Sequence, residues 1–253
     1  MKSIDVLFTP ADFAALSRRN LDETLCVVFD VFRATSSMVT ALAGGAAGIL
    51  PVAEIPEALE IRRKQPGALL AGERDGVRIR GELTGGTDFD LGNSPREFIP
   101  ETVSGRTVVM STTNGTRALR ACAHADRVLI GSFLNLEATA AAAGQGRWPE
   151  LLILCSGTFD EAAYEDTLAA GALCDSLWAQ FAGAEISDAA LMARQLYLVA
   201  GDRVAEEAAR SRNGRRLLSR PELRDDVAFC LRRDVFDFAA ALGADGQVRK
   251  AGN

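Results

Sequence analysis

Asp30 and Arg33 stand close together in Asp30-Val31-Phe32-Arg33-Ala34-Thr35, and Gly72-Glu73-Arg74 repeats the pairing of an acid with an arginine. Carboxylates can hold Mg²⁺ or activate water, and guanidinium groups match phosphate, carboxylate or sulfonate oxygens with fork geometry. Mixed charge of this kind suits a metal-assisted reaction on a polyanion, although two structural ion pairs would leave the same pattern. A further stretch, Ser111-Thr112-Thr113-Asn114-Gly115-Thr116-Arg117, sets hydroxyls and an Asn-Gly pair where a strand would turn into a helix. Such a turn can present backbone N–H groups to an anion, or simply cap the helix. Glu165 and Asp166 open a helical segment as a third source of acid, where carboxylates also stabilise helices without any catalytic part. Cys155 follows an apolar run as either a nucleophile or a small buried hydrophobe. The only histidine, His124, reads as a cation late in a helix, so acid–base work falls to carboxylates.

These residues share one placement. Apolar runs at 25–29, 68–71, 107–110, 127–130 and 151–154 read as strands buried on both faces, and each is followed by small, hydroxylic, acidic or cationic residues. In parallel α/β sheets ligands bind beyond the carboxyl ends of the strands, which is where these groups fall. Helical spacing at 36–43, 55–64, 116–123, 136–143 and 162–181 completes a three-layer α/β/α fold with a largely parallel sheet. The Gly- and Pro-bearing stretch 77–100 is expected as a long loop or small hairpin. Helices are expected at 187–199 and 202–212, so that 182–225 could form a helical C-terminal subdomain within a single domain spanning 1–253. Residues 228–242 read as strand-like or buried, and 243–253 as a frayed tail.

Several chemistries are excluded by what is missing. No G-x-x-x-x-G-K-[ST] loop occurs and no G-x-G-x-x-G follows a strand, so nucleotide binding lacks its fingerprints. Glu161 stands where a C-x-x-x-x-x-R phosphatase loop starting at Cys155 would need arginine. The 253 residues are 48% hydrophobic and 25% charged, ample for a continuous core. Lys and Arg number 28 against 34 Asp and Glu, a formal charge of −6 that disfavours nucleic acid and anionic membranes as partners. Five cysteines without a C-x-x-C pair, no membrane-length apolar run and no signal-like start point to a cytoplasmic chain with reduced thiols. Apolar helix faces leave room for a homodimer.

Taken in order and spacing, Asp30 to Thr35, Gly72-Glu73-Arg74, Asp90-Leu91-Gly92-Asn93-Ser94-Pro95 and Thr112 to Arg117 resemble the motifs of the 2-phosphosulfolactate phosphatase family. The resemblance extends from about residue 3 to about residue 240. It continues through Cys155-Ser156-Gly157, Glu165-Asp166 and, more weakly, Asp226-Val227-Ala228-Phe229-Cys230. It implies a Mg²⁺-dependent phosphatase of coenzyme M biosynthesis that hydrolyses 2-phospho-3-sulfolactate, a small anionic substrate, to 3-sulfolactate and inorganic phosphate. Asp30, Glu73, Asp166 and Cys155 are then expected in catalysis, with Asp30, Glu73 or Asp166 holding the metal. Arg33, Thr35, Arg74, Asn93, Ser94, Thr113, Asn114, Gly115, Thr116 and Arg117 are expected to bind substrate. Direct attack by water and a covalent intermediate on Asp30 or Cys155 both remain open. So do a phosphatase for another small phospho-acid and a non-catalytic anion-binding protein. One departure from the family pattern, an insertion at 82–88, would lengthen a loop beside the pocket.

Overall fold

Continuous apolar runs cannot face water on either side, so they take inner positions in a sheet covered by helices. The computed structural model, which describes residues 1–145 and 148–252, follows that rule. Its strands are β1 (Ser3–Leu7), β2 (Thr24–Phe29), β3 (Gly48–Val52), β4 (Leu69–Arg74), β5 (Val77–Arg78), β6 (Thr107–Ser111), β7 (Arg127–Gly131), β8 (Glu150–Cys155), β9 (Glu185–Ile186), β10 (Ala240–Leu242) and β11 (Val248–Lys250). All six residues of β2 are buried. The spatial order is β5-β4-β6-β3-β11-β10-β7-β2-β8-β1-β9. Strands β4, β6 and β3 form one parallel block, and β7, β2, β8, β1 and β9 a second. The class is α/β, with a largely parallel sheet between helical layers, and the five expected strands correspond to β2, β4, β6, β7 and β8. Strands β1 and β3 add to them, the latter disguised by Gly48 and Pro51, residues that weaken a strand signal.

The tail does not fray. Strands β10 and β11 form an antiparallel hairpin that joins the two blocks, β10 pairing with β7 and β11 with β3. Its turn is closed by Gly243 N–H donating to the Gln247 carbonyl at 2.8 Å, and Val248 is fully buried. The rest of 228–242 divides between the end of the helix Arg224–Cys230 and an irregular stretch leading to β10. The expected helix 202–212 is also broken. Ser211 caps a new helix, Arg212–Leu218, by accepting the Gly214 N–H, and separates it from Val204–Ala209. Ala190, Ala193 and Ala200 of the helix Asp188–Ala200 and Ala208 of Val204–Ala209 pack into the same core as β2 and β8. Among the described residues no helix is long and apolar enough to cross a membrane.

A second core positions the site. Met38 and Val39 of the helix Ala34–Ala43, and Ala118 and Leu119 of the helix Gly115–Ala121, pack with Val28 of β2, Ile49 of β3 and Met110 of β6. Both blocks therefore turn a face to the same two helices. This shared packing brings the carboxyl ends of β2, β4, β6 and β8 around one cleft, although β2 and β6 are well separated in strand order.

Candidate active site

Asp30, Glu73, Thr113 and Asn114 line this cleft, together with Asn93, Thr158 and Asn213. Asp30 directly follows β2, and its turn is locked by two partners. The Thr35 hydroxyl bonds both the backbone N–H and the carbonyl of Asp30 at 3.0 Å, and Asp30 Oδ1 accepts the Ala34 N–H at 3.1 Å. Oδ2 is left for the cleft. Burial pushes the Asp30 carboxyl up to about 7; the Glu73 and Glu165 carboxylates add to the rise and the Ala34 amide opposes it. Glu73 is held by backbone, with Oε2 accepting the Gly76 N–H at 2.7 Å and Oε1 the Thr113 N–H at 2.9 Å. One carboxylate thus ties the β4–β5 turn to the loop after β6.

Gly115 begins the next helix against this turn. A Cβ there would lie 2.6 Å from Ala34 Cβ and 2.8 Å from Asp30 Oδ2, so only glycine lets the two helix starts meet. Gly115→Ala is expected to cost about 1–3 kcal/mol, as overpacking does. Because the clash falls on Asp30, the substitution should also lower turnover more than stability alone explains. Thermal melting and steady-state rates on the same preparation check both.

Other expected site residues lie elsewhere. Asp166 is buried beneath the turns, with Oδ1 accepting the Val31 N–H at 2.8 Å and Oδ2 the Gly157 N–H at 3.2 Å. Burial, and then the Glu165 and Asp30 carboxylates, push its carboxyl well up. Among the described residues no group of three Asp, Glu, His or Cys side chains converges to hold a metal ion. Of the three candidate acids, Asp30 and Glu73 line the cleft and Asp166 does not, its two oxygens lying beneath it against the Val31 and Gly157 N–H groups. Cys155 is fully buried in the apolar core, and burial pushes its thiol well up, which suits packing and not attack. Thr35 and Thr116 are buried and bond backbone, Thr116 donating to the Thr112 carbonyl at 2.8 Å. Ser94 donates to Asp226 at 2.6 Å. Arg74 is directed to Ser111 and to the Glu73 carbonyl, and Arg117 lies half exposed near Asp160; neither lines the cleft. Nor does any residue of the stretch 82–88, which folds as a separate turn pinned by Arg80 and Asp88.

Arg33 does line the cleft, but its guanidinium is tied down. It is buried, one terminal nitrogen donating to Asp226 Oδ2 at 2.7 Å and the other to the Gly76 carbonyl at 2.7 Å. The opposite wall comes from residues the sequence reading missed. Asn213 bonds both Thr158 Oγ1 and Glu165 Oε1 at 2.6 Å, and Arg216, Leu217, Arg220 and Leu223 complete the rim. Their only signal in the sequence is a concentration of arginine in an acidic chain.

The model of the family described as 2-phosphosulpholactate phosphatase matches residues 13–243, which include every residue that lines the cleft. The chain belongs to this family. Its relatives include a "probable 2-phosphosulfolactate phosphatase" of Caldanaerobacter subterraneus subsp. tengcongensis, 35% identical over 96% of this chain and 97% of that protein. Proteins of the same name from Caldicellulosiruptor saccharolyticus and Thermotoga maritima are 37% and 36% identical, covering 86% and 85% of this chain and 88% of each relative. Family membership agrees with the motifs around Asp30, Glu73, Asn93 and Asn114.

Proposed function

We propose that the chain is a phosphoric monoester hydrolase that converts 2-phospho-3-sulfolactate and water to 3-sulfolactate and inorganic phosphate. The observation that carries this reading is the meeting of Asp30, Glu73 and the Thr113-Asn114 turn in one cleft, in a chain whose relatives bear that enzyme's name. The same reading assigns the reaction to coenzyme M biosynthesis in the cytoplasm.

Mg²⁺ suits the donor set. The amide oxygens of Asn93 and Asn114 are buried without a hydrogen-bond partner beside Asp30 and Glu73 in the cleft. A hard cation takes oxygen ligands of this kind, needing only one or two carboxylates when a phosphate supplies the rest. Asp30, Glu73, Asn93 and Asn114 would hold it, and when bound it would polarise the phosphoryl group and acidify water. Asp30 Oδ2 takes the proton of the attacking water as its oxygen bonds phosphorus. The bond from phosphorus to the ester oxygen breaks, that oxygen leaves as the hydroxyl of the product by taking a proton from solvent, and Asp30 returns its proton to solvent. Thr35, the Ala34 amide and Asp166 act earlier, by holding the two turns that aim Asp30.

Metal dependence is checked by measuring phosphate release from 2-phospho-3-sulfolactate, phospholactate and phenyl phosphate, each with Mg²⁺ and with EDTA. The sulfonated ester should be the best substrate, and EDTA should reduce release from all three to background. Undiminished release in EDTA would remove Mg²⁺ from the account; preference for another ester would remove the substrate and keep the hydrolase.

A further inference from the structure

We propose that Arg216 and Arg220 form the subsite for the acid groups of the substrate remote from its phosphoryl group, and so set selectivity for polyanionic monoesters. This rests on the phosphatase reading above. A substrate carrying phosphate, carboxylate and sulfonate needs cations beyond those at the reacting phosphorus. Among the described residues the cleft offers three arginines, Arg33, Arg216 and Arg220. Arg33 is committed on both terminal nitrogens, to the buried Asp226 and to the Gly76 carbonyl.

The other two hold provisional partners. Arg216 Nη2 donates to the Asp75 carbonyl at 2.5 Å, and Arg220 Nη1 to the same oxygen at 3.2 Å. Arg216 Nη2 also lies 3.7 Å from Asp75 Oδ1, on a side chain that is 83% exposed. An ion pair so open to solvent holds weakly. The remaining guanidinium nitrogens of both arginines have no partner among the described residues, and the fork geometry of that group matches carboxylate and sulfonate oxygens. Both groups also lie over Gly76, whose Cβ, were it present, would be 3.6 Å from Arg220 Nη1 and 3.9 Å from Arg216 Cζ. Gly76 N–H is the donor that fixes Glu73. The arginines therefore sit one turn away from the reacting end of the cleft, on the side reached by the substrate's other acid groups. Substrate acid groups bound there would replace the Asp75 contacts.

The test compares the full chain with Arg216→Gln, Arg220→Gln and Arg216→Lys, reading kcat/KM for 2-phospho-3-sulfolactate and for phenyl phosphate. The ratio of the two should fall about 10- to 100-fold in each glutamine variant, the size of one lost charge-assisted contact. The change should lie mainly in KM for the sulfonated ester, and Arg216→Lys should recover part of it. Equal losses on both esters would overturn the proposal, since a clamp on the phosphoryl group or a structural part would act on every substrate alike. Release from neither ester by the unsubstituted chain would defeat the phosphatase reading instead. Calorimetry with 3-sulfolactate then decides the subsite: binding lost in both glutamine variants supports it, while equal binding in all variants, or none to the unsubstituted chain, overturns it.

Discussion

Asp30→Asn is expected to reduce phosphate release by about 10²- to 10⁴-fold, the range for removing a general base, while making the metal-free protein more stable at neutral pH. The first effect follows from the open Oδ2 in the cleft. The second follows from the pH linkage of a buried acid. The Asp30 carboxyl is pushed from 3.8 to about 7 in the folded chain, so between these values the folded state binds more proton than the unfolded one. Stability then falls as pH rises: the contribution is fully present below 3.8 and is lost as pH climbs to about 7. An amide carries no such charge to be repelled by the Glu73 and Glu165 carboxylates. Melting curves in EDTA should show Asp30→Asn above the unsubstituted chain at pH 8, by up to a few kcal/mol, with the gap closing near pH 4. A variant that is inactive and less stable at pH 8 would mean that Asp30 is structural.

Breaking the ion pair beneath the cleft should have the largest effect on folding. Asp226 is fully buried and accepts from Arg33, Ser94 and Arg96, so Asp226→Leu strands the Arg33 guanidinium, itself 3% exposed, without a counter-charge. Loss of one partner of a buried pair costs about 3–5 kcal/mol, which urea titration would read as a lowered midpoint. The double variant Arg33→Met/Asp226→Leu should regain much of that stability, because no charge is left buried. Recovery stays partial, since Ser94 and Arg96 still lose their acceptor. Turnover should not return with stability, because Arg33 fastens the Gly76 carbonyl and with it the turn that holds Glu73. If the double variant is as unstable as the single one, the cost lies in packing and not in the stranded charge.

The parts of the site that read clearly in the sequence are those carried by the ends of buried strands. Asp30, Glu73 and the Thr113-Asn114 turn each follow an apolar run, and a parallel sheet sends all such ends to one side. The same rule fails to say which way a side chain points. Cys155 ends a buried strand and Asp166 opens the next helix, yet Asp166 caps two backbone amides and Cys155 points into the core. Hydrogen bonding to backbone explains most of the remaining differences: Thr35, Ser94, Arg74 and Thr116 all spend their polar atoms within the protein. The wall made by Asn213, Arg216 and Arg220 was hidden for another reason. It comes from the helix Arg212–Leu218 and the turn after it, remote in the chain, whose arginines look like a solvated face until the Asp75 turn is set against them. Much the same holds for β10 and β11, where a terminal segment acquires order only from β7 and β3 beside it; the Asp245-Gly246 pair between Leu242 and Val248 was the one local sign of a hairpin.

The most direct test of the account is the time course of inorganic phosphate released from 2-phospho-3-sulfolactate with Mg²⁺, run side by side for the unsubstituted chain and Asp30→Asn. Many turnovers are expected of the former and near-background release of the latter, with both proteins folded by circular dichroism. Comparable release from the two would contradict the role given to Asp30, and no release by the unsubstituted chain would contradict the function itself.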